Sequence, residues 1–109
     1  MTDSKSDAPE IRRNAAEHRY EAWLGGAPVG VAVYREDPGR TVFLHTEVSD
    51  QVEGRGIGRA LVRGALDDVR ARGEQAVPLC PFVATYIKTH REYQDLVPRA
   101  YDKAIGRAS

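Results

Sequence analysis

This sequence of 109 residues is poor in cysteine, in long apolar runs and in net charge. Its one cysteine, Cys80, cannot form an intramolecular disulfide, and the first residues lack the apolar core of a signal peptide. No stretch approaches the roughly 18–20 consecutive apolar residues of a membrane span. Because 16 Lys and Arg balance 16 Asp and Glu, no net charge attracts the chain to nucleic acid. We therefore expect a cytoplasmic protein without a nucleic-acid or membrane partner.

What is present is enough for one domain. The 41% hydrophobic fraction is typical of a globular chain, and a chain of this length buries roughly two-thirds of its unfolded surface. Residues 1–14 are polar, with Ile11 as the one large apolar side chain beyond the start, which predicts a disordered tail. The folded domain is expected over residues 15–98, and residues 99–109 are expected to form a C-terminal tail.

Three segments show the two-residue alternation of β-strands, at residues 18–24, 29–33 and 41–48. Glycine and proline turns separate them, which predicts a three-stranded antiparallel meander. In the third strand the alternation puts two sets of side chains on opposite faces. One set is Val42, Leu44, Thr46 and Val48, and the other is Phe43, His45 and Glu47.

The period then changes to that of an amphipathic helix from Ile57 to just before Gly73. Residues 75–79 predict a short buried strand, which a right-handed crossover would pair parallel to the third strand. Pro81 can occupy the first position of a second helix that runs to about His90. The sequence thus predicts an α/β (α+β) fold with a mixed four-stranded sheet and two main helices.

A glycine-rich turn leads from the third strand into the first helix. Helix N-termini carry unpaired N–H groups and a partial positive charge, so glycines there let a phosphate approach, and Arg55 and Arg59 add charge. The dinucleotide fingerprint is excluded because residue 59 is not glycine, and the Walker motif is absent. A plain glycine turn that packs the helix onto the sheet is the alternative interpretation.

Residues 53–62, EGRGIGRALV, resemble the acetyl-CoA-binding motif Q/R-x-x-G-x-G/A of GCN5-related N-acetyltransferases. Residues 45–48, 78–83 and 92–97 are similar to sequence segments of a short, single-domain subfamily of that family. The resemblance covers about residues 15–98.

The resemblance implies acetyl transfer from acetyl-CoA to a primary amine, on a small molecule or a protein, without a metal. The residues that it places at the cofactor are Glu47, Val48, Gly54, Arg55, Gly56, Ile57, Gly58 and Arg59. In the family, backbone N–H groups of the strand before the glycine loop hold the pantetheine and the oxyanion, here those around Glu47 and Val48. Glu53 departs from the motif, so one phosphate contact is missing or is supplied by the two arginines.

Four side chains are candidates for the acid–base chemistry. His45 and Glu47 lie one pleat apart on one strand face and are candidate bases. The alternative is that His45 is a half-buried strand residue and Glu47 a solvated one, without a role in catalysis. Cys80 precedes the second helix, where it could be a nucleophile, a proton donor to CoA, or a small apolar bystander. Tyr86 stands where the superfamily often has a general acid, but it also belongs to an apolar helix stripe.

A second function class stays open. The chain is too short for the two N-terminal helices and the C-terminal strands that shape the acceptor pocket in full-length family members. A CoA-binding or protein-interaction module without turnover is therefore the alternative. Trp23 and the uncovered half of the sheet could form a weak homodimer surface or an acceptor platform, and a monomer is equally compatible with the sequence.

Overall fold

The computed structural model describes residues 8–52 and 54–108, and within them five strands and two α-helices form one layer of sheet and one of helices. The elements follow in the order β1 (Glu10–Asn14), β2 (Arg19–Leu24), β3 (Ala27–Asp37), β4 (Arg40–Val48), α1 (Ile57–Ala71), β5 (Gln75–Pro78) and α2 (Pro81–Thr89). Short 3-10 helical segments lie at Asp50–Val52, Arg91–Leu96 and Arg99–Ile105. No helix of these residues is long and apolar enough to cross a membrane.

The sheet has the strand order β1-β2-β3-β4-β5. All neighbours are antiparallel except β4 and β5, which pair in parallel and are connected along the chain by α1. The predicted fold class, a meander followed by a crossover helix and a parallel strand, is confirmed. The sheet has five strands rather than four, because β1 adds an edge strand before the meander.

Strand β1 corrects the prediction that residues 1–14 form a tail. Its Ile11 pairs with Ala22 in the ladder and packs onto α1 at Gly64. A Cβ at Gly64 would lie 2.7 Å from Ile11 Cγ1, so the absence of a side chain there makes room for the strand. One apolar residue is enough to anchor β1 because the helix offers a matching hollow. Residues 1–7 lie outside the described residues.

The C-terminal segment also differs from the predicted tail at 99–109. Its helical turns carry Ile105, which is fully buried in the core. Arg107 holds the segment by donating hydrogen bonds to Asp102 and, at 2.9 Å, to the carbonyl oxygen of Val97. The sequence pattern did not reveal this docking because a single isoleucine among polar residues has no periodicity. Ser109 lies outside the described residues.

The predicted apolar face of α1 is confirmed. Its buried residues are Ile57, Leu61, Val62, Ala65, Leu66 and Val69. They belong to one core cluster with β-strand side chains that include Tyr20, Ala32 and Phe43. Burial of this stripe fixes α1 across the sheet, because apolar area removed from water stabilises by about 25 cal/mol per Å². The helix in turn carries the glycine loop at its N-terminus.

A β-bulge at Leu44 overturns part of the predicted face assignment in β4. The register pairs Tyr34 with Phe43 and Val33 with His45, which leaves Leu44 without a partner. One extra residue shifts the two-residue alternation. Phe43 therefore lies on the α1 side of the sheet with the side chains of Thr46 and Val48, while His45 and Glu47 remain together on the other side.

Candidate functional site

The site lies where strands β4 and β5 separate. The two strands pair from Arg40 with Gln75 as far as Phe43 with Pro78, and the N–H of Cys80 then donates to the carbonyl oxygen of Phe43 at 2.9 Å. Beyond this bond the chain turns into α2, and in the described residues no strand pairs with that edge of β4 after the bulge. An open edge of strand is therefore exposed next to a helix.

The backbone groups of Thr46 and Val48 point to this open edge. The N–H of Ser49 donates to the carbonyl oxygen of Val29 at 2.8 Å, which fixes the side of the strand that faces β3. Backbone groups of successive strand residues alternate between the two edges, so those of Glu47 also face β3. Of the two amides predicted to contact the cofactor, Val48 faces the gap and Glu47 does not.

A cavity of about 240 Å³ lies at the end of this edge. It is lined by Val48, Val52, Gly54, Gly56, Ile57, Gly58, Arg59 and Phe82. Six of these are residues that the family resemblance placed at the cofactor. The other two, Glu47 and Arg55, are not in the lining. Arg55 is exposed in the loop and donates its backbone N–H to the carbonyl oxygen of Val52 at 3.2 Å. Glu53, the departure from the motif, lies outside the described residues.

The N-terminus of α1 opens into this cavity. Gly56 precedes the helix with a φ of 76°, a left-handed conformation that glycine adopts without strain. Within the described residues no side chain caps the helix, and its first turn contains no acidic residue. The first N–H groups of the helix are thus available to an anion, which the helix dipole also favours.

Phe82 closes the side of the cavity opposite the strand. A Cβ at Gly58 would lie 2.8 Å from Phe82 Cζ, so the ring rests directly on the helix backbone. Phe82 lies in the first turn of α2 and is 43% exposed. The apolar ring and Val48 together form a narrow passage from the glycine loop toward the open edge of β4.

An outer groove continues from the glycine loop between α1 and α2. Arg59, Ala60, Arg63, Tyr86 and His90 line about 270 Å³ of it. The rings of Tyr86 and His90 are stacked with centroids 3.8 Å apart. Within the described residues neither of these two arginines forms an ion pair, so both charges are available to an anion.

Tyr86 thus lies in the outer groove. Burial is the main cause that raises the pKa of its hydroxyl above the ordinary value. Its ring packs on His90 and near Tyr93, with ring centroids 6.1 Å apart in the second pair. The apolar-stripe interpretation and the groove position both apply to Tyr86, and its predicted role as general acid stays a prediction.

Cys80 faces Thr46 across the gap. Its Sγ lies 3.4 Å from Thr46 Oγ1, and the residue is 4% exposed. Cys80 precedes α2 with Pro81 in the first turn, as predicted. Thr46 was predicted only as a strand residue. Its contact with Cys80 was not predicted, because only the separation of β4 from β5 brings the two side chains together.

His45 and Glu47 lie on the opposite face of the sheet. His45 Nε2 is 3.2 Å from Glu47 Oε2, and their side chains are 59% and 72% exposed. The prediction that they lie one pleat apart on one face is confirmed. The four candidate catalytic side chains therefore occupy three places: the gap, the outer groove and the uncovered face.

The described residues fit a ligand that carries both phosphates and an extended amide chain. Free helix N–H groups and arginines suit phosphate oxygens, while a strand edge with unpaired N–H and C=O groups suits the amides of a pantetheine arm. No group of three or more His, Cys, Asp or Glu side chains in the described part of the chain is arranged to hold a metal ion.

Comparison with protein families agrees with this geometry. The family described as GCN5-related N-acetyl-transferase matches residues 19–96, which include the meander, the glycine loop and both helices. This chain belongs to that family, whose members transfer acyl groups. No curated protein matches the chain.

Proposed function

We propose that this protein is an acetyl-CoA-dependent N-acetyltransferase that acts on a primary amine. The observation that carries the proposal is the open edge of β4, which runs from Thr46 to Val48 and leads into the glycine-loop cavity. Acyltransfer needs a donor held with its thioester beside an acceptor. A strand edge can hold an extended pantetheine arm by backbone hydrogen bonds, which do not depend on the identity of the side chains.

Each part of the ligand has a matching part of the chain. The N–H groups at the start of α1 and the Arg59 side chain would hold the pyrophosphate. The outer groove, with Arg63 and His90, would hold the nucleotide end. The backbone of Val48 and the side chains of Thr46 and Cys80 would then surround the thioester end, where Phe82 limits access of water to the passage.

The chemistry that the ligand supplies is an acetyl group activated as a thioester. An N–H of the β4 edge can donate to the thioester carbonyl oxygen, which favours attack by an amine. Glu47 can accept a proton from the amine, directly or through water, because its carboxylate is exposed on the face from which an acceptor can approach. Three roles stay open for Cys80: an acyl-accepting nucleophile, a proton donor to the leaving sulfur, and a packing residue.

A CoA-binding module without turnover is the second candidate. The separation of the candidate catalytic residues into three places favours it, since Tyr86 and Cys80 do not meet. The two candidates share the cofactor site and differ in chemistry. Variants that change either cofactor binding or turnover, but not both, therefore distinguish the two candidates.

The binding test compares two glycines with the same backbone conformation. Gly56 and Gly39 have φ values of 76° and 72°, but only Gly56 lines the cavity. Both Gly→Ala changes should cost about 1–2 kcal/mol of stability, because a side chain disfavours the left-handed region. Calorimetric titration with acetyl-CoA should show about a tenfold or greater loss of affinity for Gly56→Ala. Equal affinities for the two variants, or no heat with the unaltered protein, would reject the cofactor site.

The turnover test uses Glu47→Gln. If the protein is an enzyme, this change should lower the rate of CoA release with an amine acceptor by about a hundredfold and leave acetyl-CoA affinity unchanged. If the unaltered protein binds acetyl-CoA but releases no CoA with any of a panel of amines, the silent module is correct. Intact mass after incubation with acetyl-CoA, compared with Cys80→Ala, then tests for an acetyl adduct on the cysteine.

A further inference from the structure

Phe82 stands between the two parts of the proposed cofactor site. With Val48 and Gly58 it lines the glycine-loop cavity. With Tyr86 it also lines a pocket of about 200 Å³ in the outer groove. The ring can therefore contact a ligand in the passage, a ligand in the groove, or both.

The packing of the ring on α1 favours the passage. A Cβ at Gly58 would lie 2.8 Å from Phe82 Cζ, 3.3 Å from Phe82 Cε2 and 3.5 Å from Val48 Cγ2. Both side chains thus reach the same point of the helix. The separation between them is smaller than the roughly 7–8 Å that an inserted aliphatic carbon needs between two carbon atoms. The passage is closed at this point while the ring rests on Gly58.

The other side of the ring is free to move. Phe82 is 43% exposed, whereas Val83 and Ile87 of the same helix are fully buried and hold α2 in place. Exposed side chains change rotamer on a timescale of picoseconds to nanoseconds. The ring can therefore swing outward without disturbing the packing of α2.

Pantetheine carries a matching apolar group next to the pyrophosphate, a quaternary carbon with two methyl groups. The proposed function places the pyrophosphate at the start of α1, where Gly56 precedes the helix. The next side chains toward the open edge of β4 are Val48 and Phe82. The order of groups along the ligand thus follows the order of residues along the passage. Methyl groups covered by an aliphatic side chain and an aromatic ring are removed from water, which is favourable.

We infer that Phe82 is a positioning residue for the acyl donor: its ring swings off Gly58 as the ligand enters and then covers the dimethyl group against Val48. The inference rests on the proposed function and adds a residue that the glycine motif does not contain. The contact would fix where the pantetheine arm begins along β4, and with it the backbone group that meets the thioester.

A pair of ligands tests which part of the donor the ring contacts. The full chain is titrated calorimetrically with CoA and with adenosine 3′,5′-bisphosphate, a nucleotide that lacks the pantetheine arm. Phe82→Ala should weaken CoA binding about tenfold, and Phe82→Leu, which keeps an apolar side chain, should recover most of the loss. Neither variant should change the affinity for the nucleotide, because the nucleotide has no dimethyl group.

Leu79→Ala is the matched control, since Leu79 is 50% exposed and lies outside the lining of both pockets. It should leave both affinities unchanged. An equal loss for the two ligands in Phe82→Ala would mean that the ring holds the nucleotide. An unchanged CoA affinity would mean that the ring holds neither part. Either result overturns the inference.

The movement of the ring has its own readout. The chain contains two phenylalanines, and Phe43 of the buried core is the internal reference. In protein with isotope-labelled phenylalanine, CoA should shift the ring NMR signals of Phe82 much more than the nucleotide does, while those of Phe43 stay in place. Phe82 signals that do not respond to CoA would contradict the inference. Absence of CoA binding to the unaltered protein would instead reject the proposed function, so the two failures are distinguishable.

Discussion

The two faces of the β-sheet bury different kinds of side chain. On the face under α1, Tyr20, Ala32 and Phe43 are 2% exposed or less and pack against an apolar helix. On the other face the most buried side chain over β2 is a carboxylate, Glu21, which accepts three side-chain hydrogen bonds. At strand β2, the first face is therefore stabilised by apolar burial and the second by polar groups that satisfy each other.

This contrast explains where the two cavities lie. A helix over the sheet supplies an N-terminus and a rigid wall, so the glycine-loop cavity belongs to the covered face. The uncovered face carries a second cavity of about 500 Å³, where half-buried valines and exposed carboxylates lie next to the same strand.

The covered face should lose the most stability when its packing is removed. Phe43 is 1% exposed and stacks on Tyr20 at a centroid distance of 6.2 Å. Phe43→Ala should lower the free energy of unfolding by about 3–5 kcal/mol, because it removes buried apolar area and leaves a cavity. Urea denaturation measures the loss. The neighbouring Leu44, which is 40% exposed, is the control, and a comparable loss for Leu44→Ala would contradict the contrast between the faces.

A smaller effect is expected at the contact between α1 and the edge strand. Gly64→Ala adds a Cβ that would lie 2.7 Å from Ile11 Cγ1, so packing should cost about 1–3 kcal/mol against a helix-propensity gain of about 1 kcal/mol. Thermal unfolding of Gly64→Ala, Ile11→Ala and the double variant measures the coupling. In the Ile11→Ala background the Gly64→Ala change should cost less, because the two γ carbons of Ile11 are gone while its Cβ, 2.9 Å from the added carbon, remains. A destabilising effect of the same size in both backgrounds would show that Ile11 is not the obstacle.

The smallest expected effect concerns the uncovered face and depends on pH. Since hydrogen bonds lower the pKa of Glu21 from 4.5 to about 2, its ionised form stabilises the fold above the unfolded-state pKa. This contribution is lost as the pH falls from about 4.5 toward 2. The stability difference between the unaltered protein and Glu21→Gln should therefore shrink between about pH 6 and about pH 3 in urea titrations.

The exposed Glu17 provides the control for this titration. Its change to Gln should leave the pH dependence of unfolding close to that of the unaltered protein. A difference for Glu21→Gln that stays constant with pH would mean that the carboxylate does not stabilise the fold through its charge.

Much of the fold followed from local patterns. Alternation at residues 18–24, 29–33 and 41–48 predicted the meander, and the helical period after Ile57 predicted α1 with its buried face. Pro81 predicted the start of α2. These features depend on residues a few positions apart, so the sequence carries them directly. The edge strand and the docked C-terminal segment were missed because each depends on one apolar residue, Ile11 or Ile105.

The site was predictable in part for the same reason. The glycine loop is a contiguous motif, and the structure places its three glycines, Gly54, Gly56 and Gly58, around one cavity. The contact between Thr46 and Cys80 joins residues 34 positions apart, and it exists only because β4 and β5 separate after Phe43. No local pattern contains that separation.

The sequence alone determined the order of strands β2 to β5 and of the two helices, the apolar face of α1, and the glycine loop that marks the acyltransferase family. It did so because periodicity and short motifs are properties of neighbouring residues. The tertiary structure decided the bulge at Leu44, the direction of the backbone groups of Val48 and the partner of Cys80. It also placed a second cavity on the other side of β4. These features arise where distant segments meet, and their energies depend on contacts that exist only in the folded chain.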